Sequence, residues 1–108
     1  MTDLEITRRC ARAVGIEISH VNDGKAYFTY HPIGEQLPLF HQFNPLHDDA
    51  QAMALVKKFR LELFVSTGDG DWDVLSDTLD SAGSEITSQN SDLNRAICEC
   101  VARMMEAK

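Results

Sequence analysis

Long hydrophobic runs and positive charge are both scarce in this sequence of 108 residues. No apolar stretch approaches the roughly 20 residues that a membrane-spanning helix needs, so we expect no transmembrane segment. Ten lysines and arginines stand against seventeen aspartates and glutamates, which gives a formal net charge of −7. Because affinity for phosphates comes from clustered lysine and arginine, this balance argues against direct binding of nucleic acid.

Cysteine is also scarce, and its number is odd. The first residues carry early acids and no apolar stretch of the secretory type, so we expect a cytoplasmic protein with reduced thiols rather than a disulfide framework. Cys98 and Cys100 would point about 200° apart on a helix, which prevents them from holding one metal ion together. Cys10 and Cys100 fall in apolar helical patterns, which predicts core positions for both.

Motifs for catalysis and cofactor binding are absent from the sequence. There is no Gly-x-Ser-x-Gly nucleophile elbow, and no glycine-rich loop precedes a predicted helix to cradle a phosphate. The four histidines show neither the i, i+4 pairing nor the ligand spacing of a zinc site. These histidines are His20, His31, His41 and His47. We therefore expect no enzymatic activity, no cofactor and no metal.

The length fits a single domain, residues 1–108, because two separate cores would need a longer chain. Its first helix is predicted from a capping box, in which Thr2 accepts from the amide of the third helical residue while Glu5 reaches back. An apolar stripe follows, and Gly15 suits the left-handed residue that ends a helix.

A β-hairpin is predicted over residues 16–21 and 25–31, because Asn22-Asp23-Gly24 supplies the positive φ angles of a tight turn. Segment 32–45 contains all three prolines, so it is expected to be a loop or at most a short edge strand.

A second helix is predicted to begin between Asn44 and Asp49, where a turn is followed by acids that suit a helix N-terminus. Its predicted inward stripe is Ala52, Leu55, Val56 and Phe59. Residues 61–66 alternate in the manner of a strand, 67–71 form a turn, and 72–75 are a plausible partner strand.

Serine, threonine, aspartate and glycine dominate residues 76–91, which predicts a long loop in which only Ile86 could anchor a short strand. The last helix has apolar residues at helical spacing from Leu93 to Met104, and Ser91 is its predicted N-cap. The predicted order is α-ββ-α-ββ-α. This order indicates an α+β fold, with a small antiparallel sheet of two hairpins packed against about three helices.

The chain resembles, in three separated stretches, the small phage and prophage proteins of the phage ABA-sandwich type. These stretches are MTDLEITRRCARAVGI, FNPLHDDAQAMALVKKFRLEL and DLNRAICECVARMMEAK. Matching elements are Phe43, Asn44, Pro45, Leu46, Asp48, Asp49, Ala52 and Leu55, with Arg95-Ala96-Ile97 near the end. The segments 31–43 and 69–92 depart from the pattern. The resemblance implies an α/β sandwich and a phage-encoded accessory protein in the cytoplasm of a host cell, and it transfers no catalytic residue.

One acidic stretch resembles a calcium-binding loop in its spacing. Carboxylates at 69, 71, 73, 77 and 80 fall at positions 1, 3, 5, 9 and 12 of an EF-hand-like loop. However, Val74 replaces the glycine that the sharp turn needs, and Asp80 replaces the bidentate glutamate. A strand rather than a helix is predicted before it. The pattern therefore favours a solvated acidic turn over a metal site.

Charge distribution carries the strongest functional signal. No lysine or arginine occurs between Leu61 and Asn94, where eight of the seventeen acids lie. Such a run indicates either a charged surface that only keeps the protein soluble, or an acidic patch that attracts the protein to a basic surface on a partner. Trp72 is expected in the core or, where partly exposed, as an interface anchor. The candidate partner-binding residues are Asp69, Asp71, Trp72, Asp73, Asp77 and Asp80.

Together, the charge pattern and the resemblance predict a phage accessory protein that occludes a host or phage protein without catalysis. Inhibition of a CRISPR effector or another defence complex is one concrete form. Two alternatives stay open. The first is an oligomeric structural or scaffold module of the phage, in which Met104 and Met105 of the last helix pack against a second copy. The second is a metal-dependent protein that uses the acids of 69–80.

Overall fold

Three helices and six strands form the part of the chain that the computed structural model describes, residues 1–30, 39–66, 68 and 70–106. The helices are α1 (Asp3–Ala13), α2 (Asp49–Phe59) and α3 (Leu93–Glu106). The strands are β1 (His20–Asn22), β2 (Lys25–Tyr30), β3 (Leu39–Phe43), β4 (Glu62–Val65), β5 (Trp72–Leu79) and β6 (Glu85–Asn90). The predicted strand end at His31, residues 32–38 of the predicted loop, and Thr67 and Asp69 of the predicted turn lie outside the described residues.

These six strands form two separate antiparallel sheets. Sheet A has the strand order β1-β2-β3, and sheet B has the order β4-β5-β6. The α+β class is therefore confirmed, with the element order α-βββ-α-βββ-α. In the structure, each predicted hairpin is extended by a third strand. In sheet A this strand is β3, which lies at an edge as the proline-rich segment suggested.

Helix α3 lies at the centre of the fold and is buried on two sides. The thiol of Cys10 in α1 donates to the backbone carbonyl of Cys98 at 3.4 Å. On the other side, the thiol of Cys100 donates to the carbonyl of Ile86 in β6 at 3.7 Å. All three cysteines are free and buried, which confirms the core positions predicted for Cys10 and Cys100. Helix α3 therefore separates α1 from sheet B.

The ends of α1 follow the predicted local chemistry. The hydroxyl of Thr2 accepts a hydrogen bond from the amide of Glu5 at 3.1 Å. Gly15 has a φ of 78°, and the amide of Ile16 beyond it donates to the carbonyl of Ala11 at 2.8 Å. A left-handed glycine with this six-residue hydrogen bond is the Schellman motif, which satisfies carbonyls at the end of the helix.

The first hairpin has the predicted turn and a shorter first strand. Asp23 and Gly24 both have positive φ, at 54° and 74°, as a two-residue type I′ turn requires. Strand β1 begins at His20 rather than at residue 16. Helix α2 then begins after Asp48, whose side chain accepts from the amide of Gln51 at 3.0 Å. The side-chain amide of Gln51 donates to the carbonyl of Gln42 and so connects the helix to β3.

The prediction of a long loop over 76–91 is wrong, although the short strand that Ile86 was expected to anchor is present as part of β6. Strand β5 continues to Leu79, and β6 runs from Glu85 to Asn90. Ser76 and Ser88 occupy inward positions and are only 4% and 3% exposed. The hydroxyl of Ser88 donates to the carbonyl of Ala96 in α3. Because serines occupy buried positions in β5 and β6, a search for alternating apolar residues does not detect these strands.

The predicted N-cap of α3 is also wrong by one residue. The side chain of Asp92, rather than that of Ser91, accepts from the amide of Arg95 at 3.4 Å. The carbonyl of Asp92 accepts from the amide of Ala96 at 3.0 Å, which is the first hydrogen bond of the helix. An aspartate at this position also complements the positive end of the helix dipole.

Candidate protein-binding surface

Strand β5 carries two of the predicted acids, Asp73 and Asp77, on the side of sheet B that faces away from α3. Val74 and Ser76 are buried, so the alternation of a strand turns Asp73, Leu75 and Asp77 outward. Antiparallel pairing extends this face onto both neighbouring strands. We call it the acidic face; its members are Glu62, Phe64, Asp71, Asp73, Leu75, Asp77, Leu79, Glu85, Thr87 and Gln89.

The register brings acidic and apolar side chains side by side on the acidic face. Phe64 lies opposite Asp73, which in turn lies opposite Gln89. Leu79 lies opposite Glu85 at the far end of the same pair of strands. Phe64 and Leu79 are 49% and 55% exposed. The face is therefore a mixed surface, in which carboxylates surround accessible apolar groups.

Hydrogen bonds fix the centre of the acidic face. The hydroxyl of Ser66 donates to the carboxylate of Asp73 at 2.6 Å and accepts from the side-chain amide of Gln89 at 3.3 Å. The backbone amide of Ser66 donates to the carbonyl of Asp71 at 2.8 Å. Asp71 and Asp73 are both half-buried. This chain of contacts holds the central carboxylate in one orientation.

Asp77 is the most accessible of the predicted acids on β5. The register of β5 on β6 shifts between Leu75 and Leu79, and Asp77 lies in this bulge with its side chain exposed. Bulges redirect side chains from the regular pleat. The hydroxyl of Ser76 accepts from the amide of Thr78 at 2.9 Å within the bulge.

Three predicted site residues lie away from this surface or outside the described part of the chain. Trp72 is half-buried and packs against the core, so the structure separates it from the carboxylates of the acidic face. Asp80 accepts from the amides of Ala82 and Ser84, each at 2.9 Å, and so stabilises the turn between β5 and β6. Asp69 is not among the described residues.

Sequence reasoning missed the apolar members of the acidic face. Phe64 and Leu79 sit at alternating positions of their strands, and the burial of Val74 decides which parity faces out. If the alternation of β5 is continued through Ser76, Leu79 falls on the same side of the sheet as Asp77. The exposed phenylalanine would then have replaced Trp72 as the candidate anchor.

Two arginines of α3, Arg95 and Arg103, are paired with other groups. The guanidinium of Arg103 donates to the carbonyl of Thr87 at 2.5 Å and lies 4.0 Å from Glu99. Arg95 pairs with Asp3 at 2.7 Å and with Glu99 at 2.8 Å. These contacts join α3 to β6 and to α1. Arg103 also lies beside the acidic face, where it lines a shallow depression with Asp73, Leu75 and Gln89. Segment 61–94 itself contains no lysine or arginine.

Besides the acids, the three buried cysteines are the remaining candidates for reactive side chains. Hydrogen bonding with the Cys10 side chain, followed by burial, raises the pKa of Cys98 above its usual range. Burial raises the pKa of Cys100 to about 11. The thiolate is the nucleophilic form of cysteine, so both shifts disfavour reaction in the folded state. These thiols serve packing.

The described acids of 70–80 lie along a strand and in the turn that follows it. Asp71 directly precedes β5 and Asp77 lies in its interior, at most about 20 Å apart along an extended strand. Among the residues that the structure describes, no group of three or more His, Cys, Asp or Glu side chains could hold a metal ion. In the same residues the longest helix has 14 residues, and none is long and apolar enough to cross a membrane.

No protein family matches the chain, and no curated protein matches it.

Proposed function

We propose that the protein acts by binding another protein, without catalysis, and that the acidic face contacts a basic surface on this partner. The observation that carries the proposal is the composition of one surface. Glu62, Asp77 and Glu85 are exposed there beside exposed Phe64 and Leu79, in a segment that has no lysine or arginine.

The two kinds of side chain have different roles in this proposal. Carboxylates attract a basic partner over distances of about 8–10 Å at physiological salt and raise the rate of association. Phe64 and Leu79 supply apolar area that leaves water on contact, which slows dissociation. Asp73, held by Ser66, presents a fixed acceptor opposite Phe64.

The partner has the chemistry of a nucleic-acid-binding protein, because such proteins carry clustered lysine and arginine. The resemblance to small phage proteins supports a host target, and a CRISPR effector or another defence complex would present such a groove. Occlusion of the groove would then inhibit the target, because the acidic face competes with the phosphates of its nucleic acid.

Site-specific photo-crosslinking in a bacterial lysate tests this proposal. A photo-reactive amino acid replaces Leu79 on the acidic face or, as a control, Met53, which is 39% exposed on α2. We expect a defined crosslinked product from position 79 and none from position 53. The product should diminish as salt is raised and in the double variant Asp77→Asn/Glu85→Gln.

The matched control for charge is Glu17→Gln/Asp23→Asn, which removes the same two charges from exposed positions outside sheet B. It should leave the crosslinked product at position 79 intact. Equal labelling from positions 53 and 79, or a product that persists unchanged in Asp77→Asn/Glu85→Gln, would refute binding through the acidic face.

A further inference from the structure

Strand β4 is a free edge of sheet B, and its backbone orientation can be read from one hydrogen bond. The amide of Ser66 donates to Asp71 across the pair with β5. In an antiparallel ladder such pairs alternate, so Phe64 and Glu62 also direct their backbone groups at β5. Leu63 and Val65 therefore direct their amides and carbonyls away from the sheet. Among the described strands, none pairs with β4 on that side.

This edge is short and begins with a charged residue, but it lacks several other features by which proteins protect exposed strands. Natural edges carry proline, lysine or an inward-pointing charge. Strand β4 has the sequence Glu-Leu-Phe-Val, and only its first residue is charged. Val65 is 66% exposed, the highest value among the exposed large hydrophobic residues of the described chain. The edge therefore exposes both backbone donors and apolar side chains.

We propose that β4 pairs with β4 of a second copy of this chain, antiparallel, and joins two B sheets into one sheet of six strands. The register follows from the outward backbone groups. Leu63 of one copy exchanges both hydrogen bonds with Val65 of the other, and Phe64 lies opposite its own counterpart on the two-fold axis. This register overlaps the whole of Glu62–Ser66 and forms four hydrogen bonds.

Side chains suit this register on both faces of the joined sheet. On the inner face, Leu63 of the second copy covers the exposed Val65. On the outer face, the two Phe64 rings meet at a pair that is not hydrogen-bonded, where side chains approach most closely. Glu62 lies opposite Ser66 of the second copy, so no two carboxylates face each other directly across the new pair.

Met104 of α3, which the sequence suggested as part of an interface between two copies, is not accessible to a second copy. Met104 is 5% exposed and belongs to the core of its own chain, and Met105 is half-buried. Packing of Met104 against a second copy would require this core to open, whereas association through β4 requires no rearrangement of described contacts.

Charge gives self-association a distinctive salt dependence. Each copy carries a net charge of −7, so two copies repel each other over the screening length. Salt weakens this repulsion and should strengthen the dimer. Binding of a basic partner by the acidic face has the opposite dependence, so the two proposals fail independently of each other.

Sedimentation equilibrium on the whole chain, over a range of protein and salt concentrations, tests the proposal. We expect a monomer–dimer equilibrium that shifts toward dimer as salt rises. Val65→Pro removes an outward-facing amide, which proline tolerates at a sheet edge. It should weaken dimerisation at least about tenfold, because two of the four hydrogen bonds are lost. The matched control Val65→Thr keeps the amide and the branched shape, and should dimerise.

A cysteine pair tests the register and does not depend on the folding of Val65→Pro. Phe64→Cys places two thiols on the two-fold axis, at a Cα separation of about 4.5 Å that a disulfide can bridge. Oxidised glutathione should convert this variant to a covalent dimer. Glu62→Cys lies on the same face, but its two copies would be about 13 Å apart, so it should stay monomeric.

A strict monomer at high protein and salt concentration would overturn the proposal. So would equal crosslinking of Phe64→Cys and Glu62→Cys, or a dimer that Val65→Pro leaves unchanged while it folds normally.

Discussion

Ser88 shows how a single small residue determines the contact between β6 and α3. Its side chain is buried, and its hydroxyl donates to the carbonyl of Ala96. A hydroxyl at a core position is stable only with a partner, because an unpaired buried donor costs about 1–3 kcal/mol. A larger apolar residue would lose this hydrogen bond and would also push the helix away from the strand.

We predict that Ser88→Val lowers the free energy of unfolding by about 2 kcal/mol, from overpacking and the lost hydrogen bond. Thr87→Val makes a similar change at the neighbouring exposed position, where the effect should stay within about 0.5 kcal/mol. Urea unfolding of both variants measures the difference. Equal stability of the two would mean that β6 does not pack against α3 as described.

At the scale of single elements, structure was predictable where the determining contacts are local. The capping contact of Thr2 with Glu5, and the left-handed Gly15, lie within a few residues of the helix that they bound. The turn at Asp23-Gly24 is local in the same sense. Each of these features could be read from the sequence because a short segment is sufficient to stabilise it.

The second half of sheet B could not be predicted in that way. Ser76 and Ser88 are buried only because α3 covers them, and α3 follows both strands in the chain. A serine facing a helix and a serine facing water look the same in the sequence. The strand character of 76–90 therefore depends on a tertiary contact that periodicity does not show.

The turn from β5 to β6 depends on Asp80, which sequence reasoning had assigned to partner binding. We predict that Asp80→Ala lowers the free energy of unfolding by about 1 kcal/mol or more, because two turn amides lose their acceptor. Asp80→Asn keeps an oxygen acceptor and should recover most of this stability, although it removes the same charge.

Urea unfolding compares these two variants, and partner binding gives a second measurement. Asp80→Asn should bind a partner nearly as the natural chain does, because the carboxylate is committed to the turn. A loss of binding with normal stability in Asp80→Asn would instead return Asp80 to the binding surface.

At the scale of the whole molecule, the central helix lies between two exposed arginines of α1 and the acidic face. Arg8 and Arg12 are exposed on α1, on one side of α3, and the acidic face covers sheet B on the other side. The acid run itself was visible in the sequence. The sequence did not show that acids of this run share one surface with Phe64 and Leu79, or that Trp72 points inward. Both follow from which residues of each strand face α3, and the structure shows this alternation.

The most direct test of binding through the acidic face is the association rate of the crosslinked partner, measured at low and high ionic strength. Asp77→Asn/Glu85→Gln should slow association several-fold at low ionic strength and flatten its dependence on salt, because fewer charges attract the partner. Glu17→Gln/Asp23→Asn, with the same change in net charge, should have a smaller effect on both. An association rate and salt dependence equal in the two double variants would contradict the account.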